Sequence, residues 1–492
     1  MTMNNVVKMR QFSRLLKSFS DIIHSKTVNQ LSRSHIQDFT RRRVMTFDMV
    51  VFYLIFRNRK NTDADLIKFF SSLDILEKRI TKQAMHKNIR KLNSNVFRYL
   101  FQQFALLFYS SGLNLNYHDY ILLGEDGTFL EIPYDIYNIN SFGIWENQHV
   151  HDMFDIKKIV SKSSGLYDIT NGLFVDFTLK QATYSELPLA FEHLYRTRSF
   201  YKDKKVIYLA DRYYGSAELI SFLDYLGYNY CIRGKSYFYK KQISQMKSND
   251  EFITVTIDDK WLKRFSFSPE ATEYRKKQPK LKIRVVRRNY IFFDKYGKKH
   301  IQEMTYFTNL SKDEFEKREI EELYSKRWDI EVAYKILKTQ LELERNVSRN
   351  VEVIQSCIYA KILFFNMTGI LRKNINHELM NHSKHIKKPA EKDNSVVFDF
   401  RYWSVNITQL INCFMDNNIL KAIIERNKKD IIKKIYQILK ACEKLKVPIR
   451  PNRHNERWGR IVPSGYYYRF TLDGRNFPKV KTIKGVMRTT KP

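Results

Sequence analysis

Three carboxylates and a short cationic stripe are the parts of this sequence best equipped for chemistry. Asp211 closes the apolar run 206–210, and Asp126 closes the run 121–125 just ahead of Gly127-Thr128. Carboxylates at strand ends project into the crevice beyond the last backbone pairing, where open α/β sheets place their chemistry. Each also has an ordinary alternative, Asp211 as a helix cap and Asp126 as the first residue of an Asp-Gly turn. Further along, Tyr324, Arg327, Glu331 and Lys338 are spaced by three, four and seven residues. On one helix that spacing keeps them within roughly 60° of one another. The opposite side would carry Ile330, Val332, Ala333, Ile336, Leu337, Leu341 and Leu343, a surface suited to a core. One acid flanked by two cations and a phenol suits a site that handles a metal ion and phosphates. The alternative is a solvated face on which Arg327 and Glu331 form a helix ion pair worth about a few tenths of a kcal/mol.

The elements around these residues predict a mixed α/β sheet. A strand over 121–126 precedes a long ribbon, 158–170 and 173–179, with Asn171-Gly172 as the turn between two apolar alternations. A helix over 185–198, a strand over 206–210 ending at Asp211, a helix over 216–226 and a strand over 228–232 follow. Three antiparallel strands and then alternating helices and strands are the ribonuclease H-like order. Residues 235–309 interrupt it with basic, β-rich segments, read as an insertion. Ser311 with Glu314 then predicts a capping box for a long helix, and a further helix ends near Arg372. The expected organisation is a helical, DNA-binding region over 1–112, an α/β ribonuclease H-like catalytic domain over 117–375 with its β insertion at 235–309, and a helical, basic region over 376–492.

Both ends of the chain are basic. Residues 1–45 carry nine Lys and Arg against Asp21 and Asp38, and residues 444–492 carry 13 against Glu456 and Asp473. The whole chain has 86 Lys+Arg, 52 Asp+Glu and a formal charge of +34, which points to a polyanionic partner, nucleic acid first. In the front region Thr62 and Thr81 are expected to cap two short helices. The second, over 82–92, offers Lys82, Gln83, His86, Lys87 and Arg90 to a groove, in an arrangement that any small helical bundle could also present. The apolar stretch 362–370 is short, with Lys361 before it and Asn366 inside, and reads as a core helix rather than a membrane span. Residues 1–8 lack the apolar run of a secretory signal, so a cytoplasmic, nucleoid-associated protein is expected. Cys231, Cys357, Cys413 and Cys442 are scattered, which supports neither a zinc site nor a disulfide framework.

The stripe Tyr324, Arg327, Glu331, Lys338 resembles, in register, the Tyr-x2-Arg-x3-Glu-x6-Lys signature of DDE transposases of bacterial insertion sequences, specifically the fourth insertion-sequence family. Thr308-Asn309-Leu310 ahead of it and Arg327-Trp328-Asp329-Ile330-Glu331 within it are similar to that family's wording. Asp126-Gly127-Thr128 resembles the stretch around the family's first aspartate and Asp211-Arg212-Tyr213-Tyr214 that around its second, although the family more often has Gly where Tyr213 stands. The resemblance covers roughly residues 120–375 and, more loosely, the cluster Arg450, Arg453 and Arg457.

The resemblance implies Asp126, Asp211 and Glu331 as catalytic residues and metal ligands, with Asp126 bridging and the other two each completing one ion. Three carboxylates without a Cys or His cluster favour two Mg²⁺ or Mn²⁺ ions, which activate the attacking oxygen and stabilise the leaving one. The expected reaction is hydrolysis of a strand at the element's end, then attack by the freed 3′-hydroxyl on another phosphodiester, in cut-and-paste transposition that can pass through a hairpin. Arg327 and Lys338 would hold phosphate oxygens and Tyr324 would donate to the same backbone. Trp328 or Trp261 would stack on a flipped base unless it fills a core. The implied partners are double-stranded DNA, at terminal inverted repeats and at the target, and a second copy of the chain on that DNA. A ribonuclease H-like nuclease or resolvase would share the carboxylates without a use for the stripe. A non-catalytic DNA-binding descendant would have no need to retain all three.

Overall fold

The computed structural model describes residues 3–449 apart from 42, 58–60, 146–157, 236, 294–297, 346–347, 384–402 and 417. The polar stretch 381–395 therefore falls mostly outside the described residues, as do the basic segment from residue 450 onward and its cluster Arg450, Arg453 and Arg457.

The front of the chain is helical: α1 (Met3–Ile23), α2 (Lys26–Leu31), α3 (Phe47–Phe56), α4 (Thr62–Ser72), α5 (Lys82–Ile89) and α6 (Asn95–Ser110). Nearly all of α3 is buried, Phe47 through Phe56, because it runs through the centre of the helical layer. Thr81 caps α5 as its sequence predicts, accepting from Ala84 N at 3.2 Å, but the helix stops at Ile89. The start of α4 is capped by Asn61 rather than Thr62: the Asn61 side chain accepts from Asp63 N at 2.8 Å, leaving Thr62 as the first helical residue. Met85 and Ile89 anchor α5, while Lys82, Gln83, Lys87 and Arg90 remain exposed.

Next come β1 (Tyr120–Ile132), α7 (Ile136–Phe142), β2 (Ile144–Trp145), β3 (Lys158–Asp168), β4 (Leu173–Gln181), α8 (Glu186–Thr197), β5 (Lys205–Ala210), α9 (Ala217–Tyr225) and β6 (Asn229–Arg233). β3 pairs antiparallel with β1 and with β4, β5 lies parallel to β1, and β6 lies parallel to β5. The order β4-β3-β1-β5-β6 is that of a ribonuclease H-like sheet. The β3–β4 hairpin differs from a two-residue Asn-Gly turn. Four residues, 169–172, join the strands, and only Gly172 takes a positive φ, +77°. Asn171 instead ties back to Asp168, its N–H donating to Oδ1 at 3.0 Å.

The segment read as an insertion forms α10 (Lys240–Ser244), β7 (Asp250–Thr256), α11 (Asp259–Leu262), α12 (Pro269–Lys277), β8 (Lys280–Phe293) and β9 (Lys299–Thr308). Its strands extend the central sheet: β9 pairs antiparallel with β6 through Cys231↔Thr308 to Arg233↔Tyr306, and β8 and β7 follow outward. The junction is fixed by Arg284, wholly buried, which grips both Asp250 oxygens at 2.8 Å and donates to the carbonyls of Ser311 and Phe315.

Two helices, α13 (Lys317–Ser325) and α14 (Trp328–Thr339), stand where one long helix is predicted. Ser311 accepts from Glu314 N only in a turn, and the capping box belongs to Glu316 and Glu319 at the start of α13. Behind them α15 (Val351–Ser383) runs past Arg372 and packs on β4, α3 and α6. By length and composition its stretch Val351–Met380 could cross a membrane, but the apolar window is 94% buried inside the protein. Asn366 in α15 satisfies both backbone groups of Phe174 on the edge strand β4, each at 2.8 Å. Closer approach comes at Gly369, where a Cβ would run into the Gly172 carbonyl.

The chain continues through β10 (Trp403–Ser404), α16 (Ile407–Asp416), α17 (Ile419–Ile424), α18 (Lys428–Lys444) and β11 (Val447–Pro448). These helices pack against the front of the chain. Ser20 Oγ donates to the Ile423 carbonyl at 2.7 Å, and Lys8 pairs with Glu378 at 2.8 Å. The two flanking helical regions thus form one layer. The four cysteines are free thiols.

Candidate active site

The parallel pairing of β1 and β5 ends at Glu125↔Ala210, so Asp126 and Asp211 occupy the next positions on two neighbouring strands. Because strand side chains alternate, Glu125 and Asp126 point to opposite faces. Glu125 is buried toward α8, where His193 Nδ1 and Ser164 Oγ each lie 2.8 Å from Oε1. Burial pushes the Glu125 carboxyl well above its ordinary range and His193 down to about 4. Asp126 faces α14. Its Oδ1 accepts from Gly127 N at 2.9 Å, and its Oδ2 lies 3.4 Å from an Arg327 nitrogen. The same guanidinium donates to Glu331 Oε1 at 2.6 Å, so Arg327 bridges the first and third carboxylates. Asp211 accepts from Tyr213 N at 2.7 Å, which shapes the turn after β5 while keeping the carboxylate at the strand end.

Arg327 reaches both acids because the chain tightens between α13 and α14. Lys326 N bonds to Leu323 O, Arg327 N to Tyr324 O and Ile330 N to Arg327 O, all three residues back, while the dihedrals of Lys326 and Arg327 stay right-handed helical. Tyr324 packs on Tyr306 with ring centres 4.9 Å apart, and the Arg327 guanidinium lies 5.8 Å from the Tyr324 ring centre. Lys338 turns away from the carboxylates, donating to the Phe129 carbonyl at 2.5 Å and pairing with Glu344 at 3.4 Å. Trp328 is 61% exposed at the start of α14. Trp261 packs beside Tyr239 with ring centres 6.2 Å apart, filling the extended part of the sheet. Ile330, Ala333, Ile336 and Leu337 of α14 are buried as their periodicity predicts, Val332 is only partly buried, and Leu341 and Leu343 are buried beyond the end of the helix.

Several residues around the site escaped the sequence reading. Glu186, the first residue of α8, accepts from Tyr214 OH at 3.1 Å and pairs with Lys162 of β3. Ser185, the N-cap of the same helix, shares a 2.8 Å hydrogen bond with Tyr213, the position at which the resembling family more often has Gly. A pocket beside Asp211 is lined by Arg212, Arg233, Lys235 and Tyr237 together with Glu303 and Thr305 of β9. Arg233-Gly234-Lys235 closes β6, and a search for polar residues at every strand end would have found it. No periodicity marks Glu186, whose role depends on the neighbours that the fold supplies.

The donor set fits hard divalent cations: Asp126 and Glu331 converge on a position that a guanidinium now neutralises, and Asp211 lies on the adjoining strand end. In this arrangement no three His, Cys, Asp or Glu side chains among the described residues stand close enough to hold an ion. Arg327 must therefore release the carboxylates for them to act as ligands. Burial pushes the Asp126 carboxyl up to about 7, overcoming the opposing pull of Arg327. The folded protein thus holds that proton more tightly than the unfolded chain does. Asp126 accordingly costs stability as pH rises from about 4 to about 7, and a cation binding there must displace the proton below that point. Mn²⁺ affinity is expected to rise by up to about tenfold per pH unit below about pH 6.5 and to level off above about pH 7.5. Calorimetric titrations across that range check this, and a flat profile would show that the ion displaces no proton from Asp126.

Residues 126–367 match the family described as the transposase DDE domain, a span that starts at Asp126 and includes Asp211 and Glu331. No curated protein matches the chain. Among solved structures, a piggyBac transposase synaptic complex with hairpin DNA is similar at 11% identity, over 85% of this chain and 84% of that one, with a TM-score of 0.40. Residues 126–367 are a transposase DDE domain, and the enzyme built on it is a DDE transposase.

Proposed function

We propose that this transposase belongs to the fourth insertion-sequence family, binds the terminal inverted repeats of its element, and cuts and joins DNA at Asp126, Asp211 and Glu331 in cut-and-paste transposition. The observation that carries the reading is the register of β1 and β5: β1 continues past the expected end at Asp126 to Ile132, but its pairing with β5 stops at Glu125, which sets Asp126 beside Asp211 at the end of β5, with Glu331 joined to Asp126 through Arg327. Asp126, Asp211 and Glu331 would hold two Mg²⁺ or Mn²⁺ ions. When bound, these supply an activated attacking oxygen and a stabilised leaving alkoxide.

The chain's own residues do the positioning. Arg327, released from the carboxylates, presents a planar fork to the nonbridging oxygens of the scissile phosphate. Tyr324, packed against Tyr306, holds that fork on one side, and its hydroxyl can donate to the DNA backbone. Lys338 reaches phosphate only by leaving the Phe129 carbonyl. Trp328, exposed one residue after Arg327, offers an indole face to an unstacked base and so supports a hairpin intermediate. Cations on α5 and in the pocket beside Asp211 extend the surface available to phosphates. Two ends joined to one target require two such sites, so the working form is a homodimer on DNA.

DNA flanking the reading frame provides the test. Incubated with the protein and Mg²⁺ or Mn²⁺, it should be nicked at the element's ends and then joined to a second duplex. Nicks without joined products would favour a nuclease or resolvase, and neither product would overturn the reading.

A further inference from the structure

Asp211 stands on the loop 211–216, and two consecutive tyrosines of that loop are held by the first two residues of one helix start. Tyr213 OH and Ser185 Oγ share a 2.8 Å hydrogen bond, and Tyr214 OH donates to Glu186 Oε2 at 3.1 Å. The other Glu186 oxygen pairs with Lys162 of β3. Lys162 sits opposite Phe129 of β1, its ammonium 4.3 Å from the Phe129 ring centre. Glu186 also presses on β1 directly, since a Cβ on Gly127, next to Asp126, would collide with its carboxylate. Tyr214 is fully buried, and the side chains of Glu186 and Lys162 are only 17% and 15% exposed, so these contacts are shielded from water.

One carboxylate therefore touches the strand that carries Asp126, the strand beside it, and the loop that carries Asp211. We infer that Glu186 is a positioning residue that fixes the Asp211 carboxylate relative to Asp126, acting through Tyr214 and Lys162 and not as a ligand itself. This rests on the proposed use of Asp126 and Asp211 to hold divalent cations. Asp211 needs such a device because, among the described residues, its carboxylate takes one hydrogen bond, from Tyr213 N within the same turn. Residues that orient ligands from behind typically change metal affinity by about 10- to 100-fold when removed.

The test uses Mn²⁺ alone, titrated into the full-length protein without DNA and followed by paramagnetic resonance. Glu186→Ala and Tyr214→Phe should each raise the half-saturating Mn²⁺ concentration by roughly tenfold; Tyr214→Phe should melt near wild type, and Glu186→Ala, which leaves Lys162 unpaired, should melt lower. The double variant should be no worse than Glu186→Ala alone, because both changes break one link. Glu186→Gln, which keeps an acceptor for Tyr214 but loses the charge facing Lys162, should fall between. If Glu186→Ala fails to fold, Tyr214→Phe, which alters no charge and little volume, decides the matter. Unchanged Mn²⁺ titrations in folded variants, or fully additive losses in the double variant, would overturn the clamp. Wild-type protein that binds Mn²⁺ but leaves flanking DNA intact would sink the transposition reading and still let the titrations judge the clamp. Wild-type protein that holds no Mn²⁺ would overturn both.

Discussion

Glu331→Gln is expected to leave the protein folded and bound to end-bearing DNA while cutting it at least about a thousandfold more slowly, a loss of about 4 kcal/mol of transition-state stabilisation. The substitution keeps size and helix propensity nearly unchanged and removes the charge a divalent ion requires. It also weakens one contact of Arg327 from a carboxylate to a neutral amide oxygen, and the remaining carboxylate contact, to Asp126, is the longer at 3.4 Å. Asp126→Asn and Asp211→Asn should behave alike. Binding by mobility shift and single-turnover cleavage in Mg²⁺ separate the two quantities. Near-normal cutting by Glu331→Gln would move the third ligand elsewhere. Glu342 is a poor substitute, because it lies past the end of α14 with φ +47° and pairs with Arg345.

Arg327→Ala carries the second large effect. One lost phosphate contact is small beside a whole DNA interface, so end binding should weaken by less than about threefold, whereas a scissile phosphate without its fork is misplaced and cutting should fall by about a hundredfold. Removing the guanidinium also leaves Asp126 and Glu331 without the cation that now neutralises them. Equal losses in binding and cutting would make Arg327 an ordinary affinity contact.

The order of strands and the positions of Asp126, Asp211 and Glu331 along the chain's elements were legible in the sequence because each depends on local signals: apolar runs that stop at an acid, alternation on either side of a Gly turn, and a spacing of three and four on a helix. Other features were not. The break at Lys326 and Arg327 keeps right-handed helical dihedrals, so the periodicity of the stripe passes through it unaltered. The joining of β9 to β6 is a long-range pairing that no short window encodes, and an insertion's composition reads the same whether its strands extend a sheet or stand apart. Lys338 shows a third limit. Its place on the stripe is right in register, but a nearby backbone carbonyl and Glu344 hold its ammonium away from the carboxylates. Glu186 and the tyrosines of the Asp211 loop became visible only once α8 was packed beside them.

If Asp126, Asp211 and Glu331 bind the divalent ions that cut DNA, exchanging a hard ligand for a soft one must change which ion the enzyme can use. Thiolate binds Mg²⁺ poorly and accepts softer ions, so Asp126→Cys, measured in a single-turnover cleavage assay on end-bearing DNA, should be inactive with Mg²⁺ and regain cutting with Mn²⁺. Wild type should cut with either ion, and Asp126→Ala with neither. Asp126→Cys that cuts normally in Mg²⁺, or that stays as dead in Mn²⁺ as Asp126→Ala while still folded and bound to DNA, would contradict a ligand role for Asp126 and with it the site.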